Sequence, residues 1–270
     1  MTDQILEGRV AIVTGAGRGM GKAMIIGLAR AGARVVGNVA RSKSELDGVV
    51  EEIRAAAGPD RILPLVADVS KEDQCIGIVR QAREKFGAVH ILVNNAARGH
   101  FFIYQANPEQ PMDFWTADSD VWRMMVETNI NGPFYMAKAA APIMIEQGWG
   151  RIINIGATER TMQKTRNSPY GVTKAALESE MLIWSKDLEG TGVTVNSLAP
   201  GGATDTGMVY GDRTGRNLLQ PEIMVDPLVQ LASTASDKIT GRRFIAKNWD
   251  PKLPADKALQ KAEASSVFIK

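Results

Sequence analysis

This sequence has little with which to cross-link itself or hold a metal. Of its 270 residues one is cysteine, Cys75, and two are histidine, His90 and His100. A single cysteine cannot close an internal disulfide, and such usage suits a reducing compartment. Two histidines and one cysteine, far apart, exclude a zinc cluster of ordinary ligand spacing. Long apolar runs are also missing: none reaches the roughly 18 residues that a spanning helix needs. Nor does one sign of charge dominate. The 32 Lys and Arg nearly balance 30 Asp and Glu, for a net charge of +2. The basic residues are scattered, which excludes an arm or stripe for nucleic acid. Segment 1–9 is short and carries Asp3 and Glu7, unlike a signal peptide. These absences predict a soluble, cytoplasmic protein with neither a membrane nor a nucleic-acid partner. No Pro/Ser-rich linker divides the chain, so a single domain over 1–270 is expected. Its 44% hydrophobic content is ordinary for a soluble protein.

What is present is a rhythm of short β-rich runs and longer helical stretches. Strands are expected at 9–14, 34–39, 62–67, 90–93, 151–155 and 193–198, with a seventh at 244–246. Helices are expected at 19–31, 44–57, 72–86, 119–147 and 168–188, the fourth bent near Gly132-Pro133. The strands are near-continuous apolar runs, so both of their faces should be buried. Repeated strand–helix units then give an α/β fold: a Rossmann-type, doubly wound parallel sheet of about seven strands with helices on both faces.

Two segments break the rhythm, 98–118 and 204–221. Both follow expected strands and so belong at the carboxyl edge of the sheet, where open α/β sheets bind ligands. The first holds Pro108, Pro111, Phe101, Phe102, Tyr104, Phe114 and Trp115. It reads as a lid or pocket wall for a partly apolar substrate, or equally as a plain loop or one that packs on a neighbouring subunit. His100 is expected at the surface and His90 in a structural place. The tail, 250–270, reads as irregular or weakly helical and is given no role.

After the first strand comes Thr14-Gly15-Ala16-Gly17-Arg18-Gly19-Met20-Gly21, leading into a helix. Glycines let backbone N–H groups approach a pyrophosphate, and the helix turns its positive end to the anion. The spacing is G-x-x-x-G-x-G rather than G-x-G-x-x-G. The turn residues Gly15, Gly17, Arg18, Gly19 and Met20 are therefore candidate dinucleotide contacts. An acidic residue after the second strand would bind the ribose 2′-hydroxyl of NAD. Here the sequence is Asn38-Val39-Ala40-Arg41-Ser42, with no carboxylate. Arg41, with Ser42, is placed to take a 2′-phosphate. NADP(H) is thus expected over NAD(H).

Tyr170 and Lys174 stand four apart on an expected helix and share one face. A free phenol, with a pKa near roughly 10, is too weak an acid to serve as a base at neutral pH. A neighbouring ammonium group lowers that value. The pair could then exchange a proton with an alcohol or carbonyl as hydride moves.

In order along the chain stand the Thr14–Gly21 turn, Asp68, Asn94-Asn95-Ala96-Ala97, Asn129, Tyr170-x-x-x-Lys174 and Pro200-Gly201-x-x-Thr204. With this set the chain resembles the short-chain dehydrogenase/reductase family, from Gly8 to about Ala246. The resemblance implies an NAD(P)(H)-dependent oxidoreductase that interconverts an alcohol and a carbonyl on a small organic substrate. It implies that Lys174 also binds the nicotinamide ribose and that Asn129 holds a relay water. Asp68 and Val69 would flank the adenine, and Asn95 and Ala96 would line the cofactor. Pro200, Gly201 and Thr204 would meet the nicotinamide end. It further implies a homotetramer or homodimer.

The pattern breaks at three places. Ala97 stands where the family has glycine. Residues 245–250 replace the usual Val-Asp-Gly-Gly. The catalytic serine, thirteen residues before the tyrosine, is Ala157, preceded by Gly156. Losing one preorganised donor costs about 10²–10³ in rate. Three readings stay open. Thr158 supplies the hydroxyl through a turn or bulge; a water or substrate group fills the gap; or the protein binds cofactor with weak or no turnover. Glu159 and Arg160 either face substrate or lie exposed.

Overall fold

The computed structural model describes residues 4–41, 43–99, 103, 113–209 and 214–268. Its centre is one sheet in the order β3-β2-β1-β4-β5-β6-β7-β8. The strands are β1 (Val10–Thr14), β2 (Arg34–Val39), β3 (Ile62–Val66), β4 (Ile91–Asn94), β5 (Gly150–Ile155), β6 (Val193–Ala199), β7 (Arg243–Ile245) and β8 (Glu263–Ala264). The first seven run parallel and β8 pairs antiparallel with β7.

Alternation along β1 shows why its apolar run is continuous. Val10 and Ile12 pack into one layer with α3 (Glu72–Phe86), α5 (Gly132–Glu146) and α7 (Tyr170–Asp187). Ala11 and Val13 pack into the other with α1 (Gly19–Arg30), α2 (Ser44–Ala57) and α8 (Val225–Leu231). A strand covered on both sides cannot afford a polar face, so it reads as unbroken Val, Ile and Leu. Each fully buried Val, Leu or Ile contributes about 1.5–3 kcal/mol.

The bend expected in the fourth long helix falls near Gly132-Pro133; what stands just before that point is a change of helix type. After α4 (Ser119–Val126) the chain widens into a π turn, Glu127–Asn131, before α5 begins. Pro133 then falls in the first turn of α5, directly after the π turn, where the regular helical hydrogen-bond pattern is already interrupted. Asp118 caps α4 by accepting from the N–H groups of Asp120 and Val121.

The tail departs from expectation. It forms α9 (Ala255–Ala262) and then β8, which covers the edge of β7. A two-residue strand has no periodicity to betray it, so eight strands stand where about seven were read. Of segment 98–118, residues 100–102 and 104–112, with His100, lie outside the described residues. Phe114 and Trp115 are described: they stack edge-on at 5.1 Å and are largely exposed. His90 precedes β4, and its Nδ1 accepts from the Val10 N–H at 3.1 Å. Among the described residues no helix is long and apolar enough to cross a membrane.

Candidate active site

The strand order reverses between β1 and β4, and the chain opens a crevice at their carboxyl ends. Side chains tie these ends together. The Thr14 hydroxyl accepts from the N–H groups of Asn95 and Ala96, both at 3.0 Å. Asn95 Nδ2 donates to Thr14 O and Gly15 O. Asn38 Oδ1 accepts from Gly15 N–H, and its Nδ2 donates to Ala67 O at 2.7 Å. These bonds fix the turn against the ends of β2 and β4.

Within the turn, Gly15 and Gly19 have φ of +66° and +53°, which side chains resist. At Gly21 a Cβ would lie 2.1 Å from Gly15 O, so only glycine lets α1 press against the turn. Arg18 precedes α1 without a side-chain cap, and the first turn of α1 has no acidic residue. Its N–H groups and dipole are left to an anion.

A cleft of about 540 Å³ runs along this edge. It brings together most of the expected cofactor set: Gly15, Gly17, Arg18, Gly19 and Met20 of the turn, Arg41 after β2, Asp68 and Val69 after β3, and Asn95 and Ala96 after β4. Tyr170 and Lys174 line it at the start of α7. Ser42 lies outside the described residues. Pro200, Gly201 and Thr204 do not line the cleft. Thr204 is buried, bridged to Leu219, with its hydroxyl on Gly202 O, and Gly201 packs against Ile245 and Lys247. Thr206, Gly207 and Met208 form that wall instead. Their only sequence signal was the glycine-rich stretch beyond β6.

Among the other lining residues that the sequence did not single out as contacts are Arg98 and Thr128. Arg98 Nε donates to Thr128 Oγ1 at 2.9 Å. Arg98 continues the Asn94–Ala97 motif, where its charge could have been noticed. With Arg18, Arg41 and Lys174 it gives the cleft four cations against Glu45 and Asp68, a surplus suited to an anionic ligand.

Lys174 Nζ donates to Ile155 O at 2.7 Å and lies 5.9 Å from the centroid of the Tyr170 ring. Burial pushes the Lys174 ammonium down to about 8 and the Tyr170 phenol up to about 12. The expected lowering of the phenol by its neighbour is therefore outweighed by desolvation. Asn129, in the π turn, is buried. Its Oδ1 accepts from Arg98 N–H at 2.8 Å, and its Nδ2 donates to Arg98 O and Thr173 Oγ1. It locks the chain after β4 to the first turn of α7.

The residue replacing the usual serine, Ala157, is buried and offers only a methyl group. Thr158 does not line the cleft. It caps the short helix α6 (Glu159–Gln163), accepting from Thr161 N–H at 3.2 Å and sharing a 2.8 Å bond with the Thr161 hydroxyl. Glu159 and Arg160 are exposed. Among the described residues no cluster of His, Cys, Asp and Glu could hold a metal.

The glycine cradle, the uncapped α1 and the cationic walls fit a nicotinamide dinucleotide. The turn and α1 would hold the pyrophosphate, Arg41 and Asp68 the adenosine end, and Lys174 the far ribose. When bound, that group would supply a hydride donor or acceptor.

Comparison with known proteins agrees. The family model described as short chain dehydrogenase matches residues 9–217. The 3-oxoacyl-[acyl-carrier-protein] reductase of Synechocystis sp. is 34% identical over 89% of this chain and 90% of its own. A metagenomic short-chain oxidoreductase solved in complex with NADP superposes with a TM-score of 0.75 at 28% identity, over 89% of this chain and 97% of that one. A short-chain type dehydrogenase/reductase from Mycobacterium marinum gives 0.77 at 28% identity, over 90% and 96%. The chain thus belongs to the short-chain dehydrogenase/reductase family of oxidoreductases.

Proposed function

We propose that this protein interconverts a carbonyl and an alcohol on a small organic substrate, with NADP(H) preferred over NAD(H). The observation that carries this reading is the convergence of Tyr170 and Lys174 on the cleft that also holds the glycine turn. A phenol held near 12 keeps its proton at neutral pH. It is then a general acid for a carbonyl oxygen that gains an electron pair as hydride arrives at its carbon. Lys174, with a value near 8, remains mostly cationic there and stabilises the phenolate left behind. Asn129 acts as a positioning residue by holding Arg98 and the start of α7.

Arg41 lining the cleft, with no carboxylate among residues 38–41, supports the 2′-phosphate preference. The engagement of Thr158 with Thr161 favours a water or a substrate group beside Ala157 over a threonine donor. A second reading, cofactor binding with little turnover, rests on Ala157 itself. NADPH oxidation with a panel of ketones, alongside NADPH binding by fluorescence, separates the two. Turnover that Tyr170→Phe leaves intact would reject the mechanism. Binding without any turnover would favour the second reading.

We also propose that the chain acts as one domain, cytoplasmic, in a homodimer or homotetramer. The exposed Phe134 and Ile145 of α5 and Val172 and Ile183 of α7 support an association face on that layer.

A further inference from the structure

We propose that Arg243, ion-paired with Glu178 in the core, is a positioning residue that fixes the end of β5 beneath the active site. The inference rests on the reductase reading above for its catalytic consequence, but its geometry is independent of it.

Registered across four strands are Asn94, Asn154, Ser197 and Arg243, a row of polar residues inside the core. Arg243 is 6% exposed and Glu178, on α7 one turn beyond Lys174, is 1% exposed. The carboxylate lies 3.6 Å from Arg243 Nε. Burial pushes the Glu178 carboxyl up, and the guanidinium opposes that shift. Two charges out of water are costly, and such a pair is no economical route to stability. Its placement explains it better. Arg243 Nη2 donates to Ala157 O at 2.8 Å, and Nη1 reaches Ser265 O at 3.4 Å, just after β8.

Two cations therefore grip consecutive parts of one strand end. Lys174 holds Ile155 O, and Arg243 holds Ala157 O two residues on. Gly156 lies between them and lines the cleft. A Cβ there would sit 2.7 Å from Ser197 Oγ and 4.0 Å from Glu178 Oε2, so the polar row lies directly under the cleft floor. With only a methyl at residue 157, the path of this backbone sets how closely a substrate oxygen and its water approach Tyr170. The tail enters the same device: α9 and β8 bring Ser265 to the guanidinium.

Either single truncation leaves a buried charge unpaired and can unfold the chain. The test therefore uses the double variant Glu178→Met/Arg243→Met, with Arg243→Lys as the conservative rescue. The measurements are Tm, NADPH Kd by fluorescence, kcat and KM for the best-reduced ketone of the panel above, and hydrogen exchange of residues 155–158. We expect Kd close to wild type, KM unchanged, Tm lower by only the few degrees that the unpaired Ala157 carbonyl costs, kcat lower by about tenfold or more, and faster exchange confined to 155–158. Arg243→Lys should restore most of kcat. A folded double variant with unchanged kcat and unchanged exchange overturns the proposal, as does a loss of kcat that merely tracks Tm and Kd. If wild type reduces no ketone of the panel, or Tyr170→Phe reduces them equally, the reductase reading fails instead. Exchange at 155–158 then decides the positioning claim alone: local acceleration supports it, and none overturns it.

Discussion

The Lys174 ammonium donates to the Ile155 carbonyl at 2.7 Å, so the strand that leads to Ala157 is bonded to the helix that carries the tyrosine. That bond uses one of three donor protons and leaves the charge available to Tyr170.

A pH dependence follows. Lys174 loses its proton near 8, below its ordinary 10.5, because burial disfavours the charged form. Carbonyl reduction should be steady below that value and fall as pH rises through it. Lys174→Met should lower kcat about 10²-fold and remove the alkaline limb, and Tyr170→Phe should lower it by about 10²–10⁴-fold with NADPH Kd preserved. Initial rates across pH 6–10, roughly two units about that pKa, check both. A flat profile for wild type would reject Lys174 as the titrating group.

Arg41→Asp should invert cofactor choice. It removes a guanidinium from the cleft and places a carboxylate where a 2′-phosphate would sit. The ratio of kcat/KM for NADPH to that for NADH should drop by about 10²-fold, the equivalent of a lost charge-assisted contact of about 3 kcal/mol. An unchanged ratio would show that Arg41 is only a surface residue.

Thr158→Ala distinguishes a cap from a catalytic donor. The hydroxyl accepts from Thr161 N–H at the start of α6, so its loss should cost about 1 kcal/mol of stability. Urea unfolding measures this, and kcat should change by less than about twofold, far below the 10²–10³ of a lost donor. A large fall in kcat at near-native stability would restore Thr158 as the substitute for the serine.

His90 makes the fold sensitive to acid. Burial, with Arg9 and Arg34 nearby, pushes its imidazole down to about 4 from 6.5. The unfolded chain takes up that proton as pH falls below about 6.5 while the folded chain does not, so stability is lost between about 6.5 and 4. After allowance for solvent screening of the half-buried ring, the loss should be about 1–3 kcal/mol. Urea midpoints at several pH values should show it, and His90→Asn should flatten that slope while keeping an acceptor for Val10 N–H.

Much of the fold was legible because burial on two faces leaves an unmistakable record. β2 and α2 begin and end where the sequence placed them, and α1 differs by one residue at its end. The exceptions are short elements. β8 and α8 lack the length over which a period can be counted, and the tail was given no role although it closes an edge of the sheet. At the candidate site, residues bound to a local motif were readable and residues brought in from elsewhere were not. Tyr170 and Lys174 are one helical turn apart, whereas Thr206 and Met208 reach the same cleft from a loop with no pattern.

Taken alone, the sequence determined the doubly wound α/β plan, the glycine turn ahead of α1 and the Tyr170–Lys174 pair, because each is written in spacings of two to six residues. Only the tertiary structure decided which way Tyr170 shifts, what the Thr158 hydroxyl does and how Arg243 comes to hold Ala157. Desolvation depends on everything packed around a group, and the register of β5, β6 and β7 joins residues 86 positions apart. Neither quantity has a local signature in the chain.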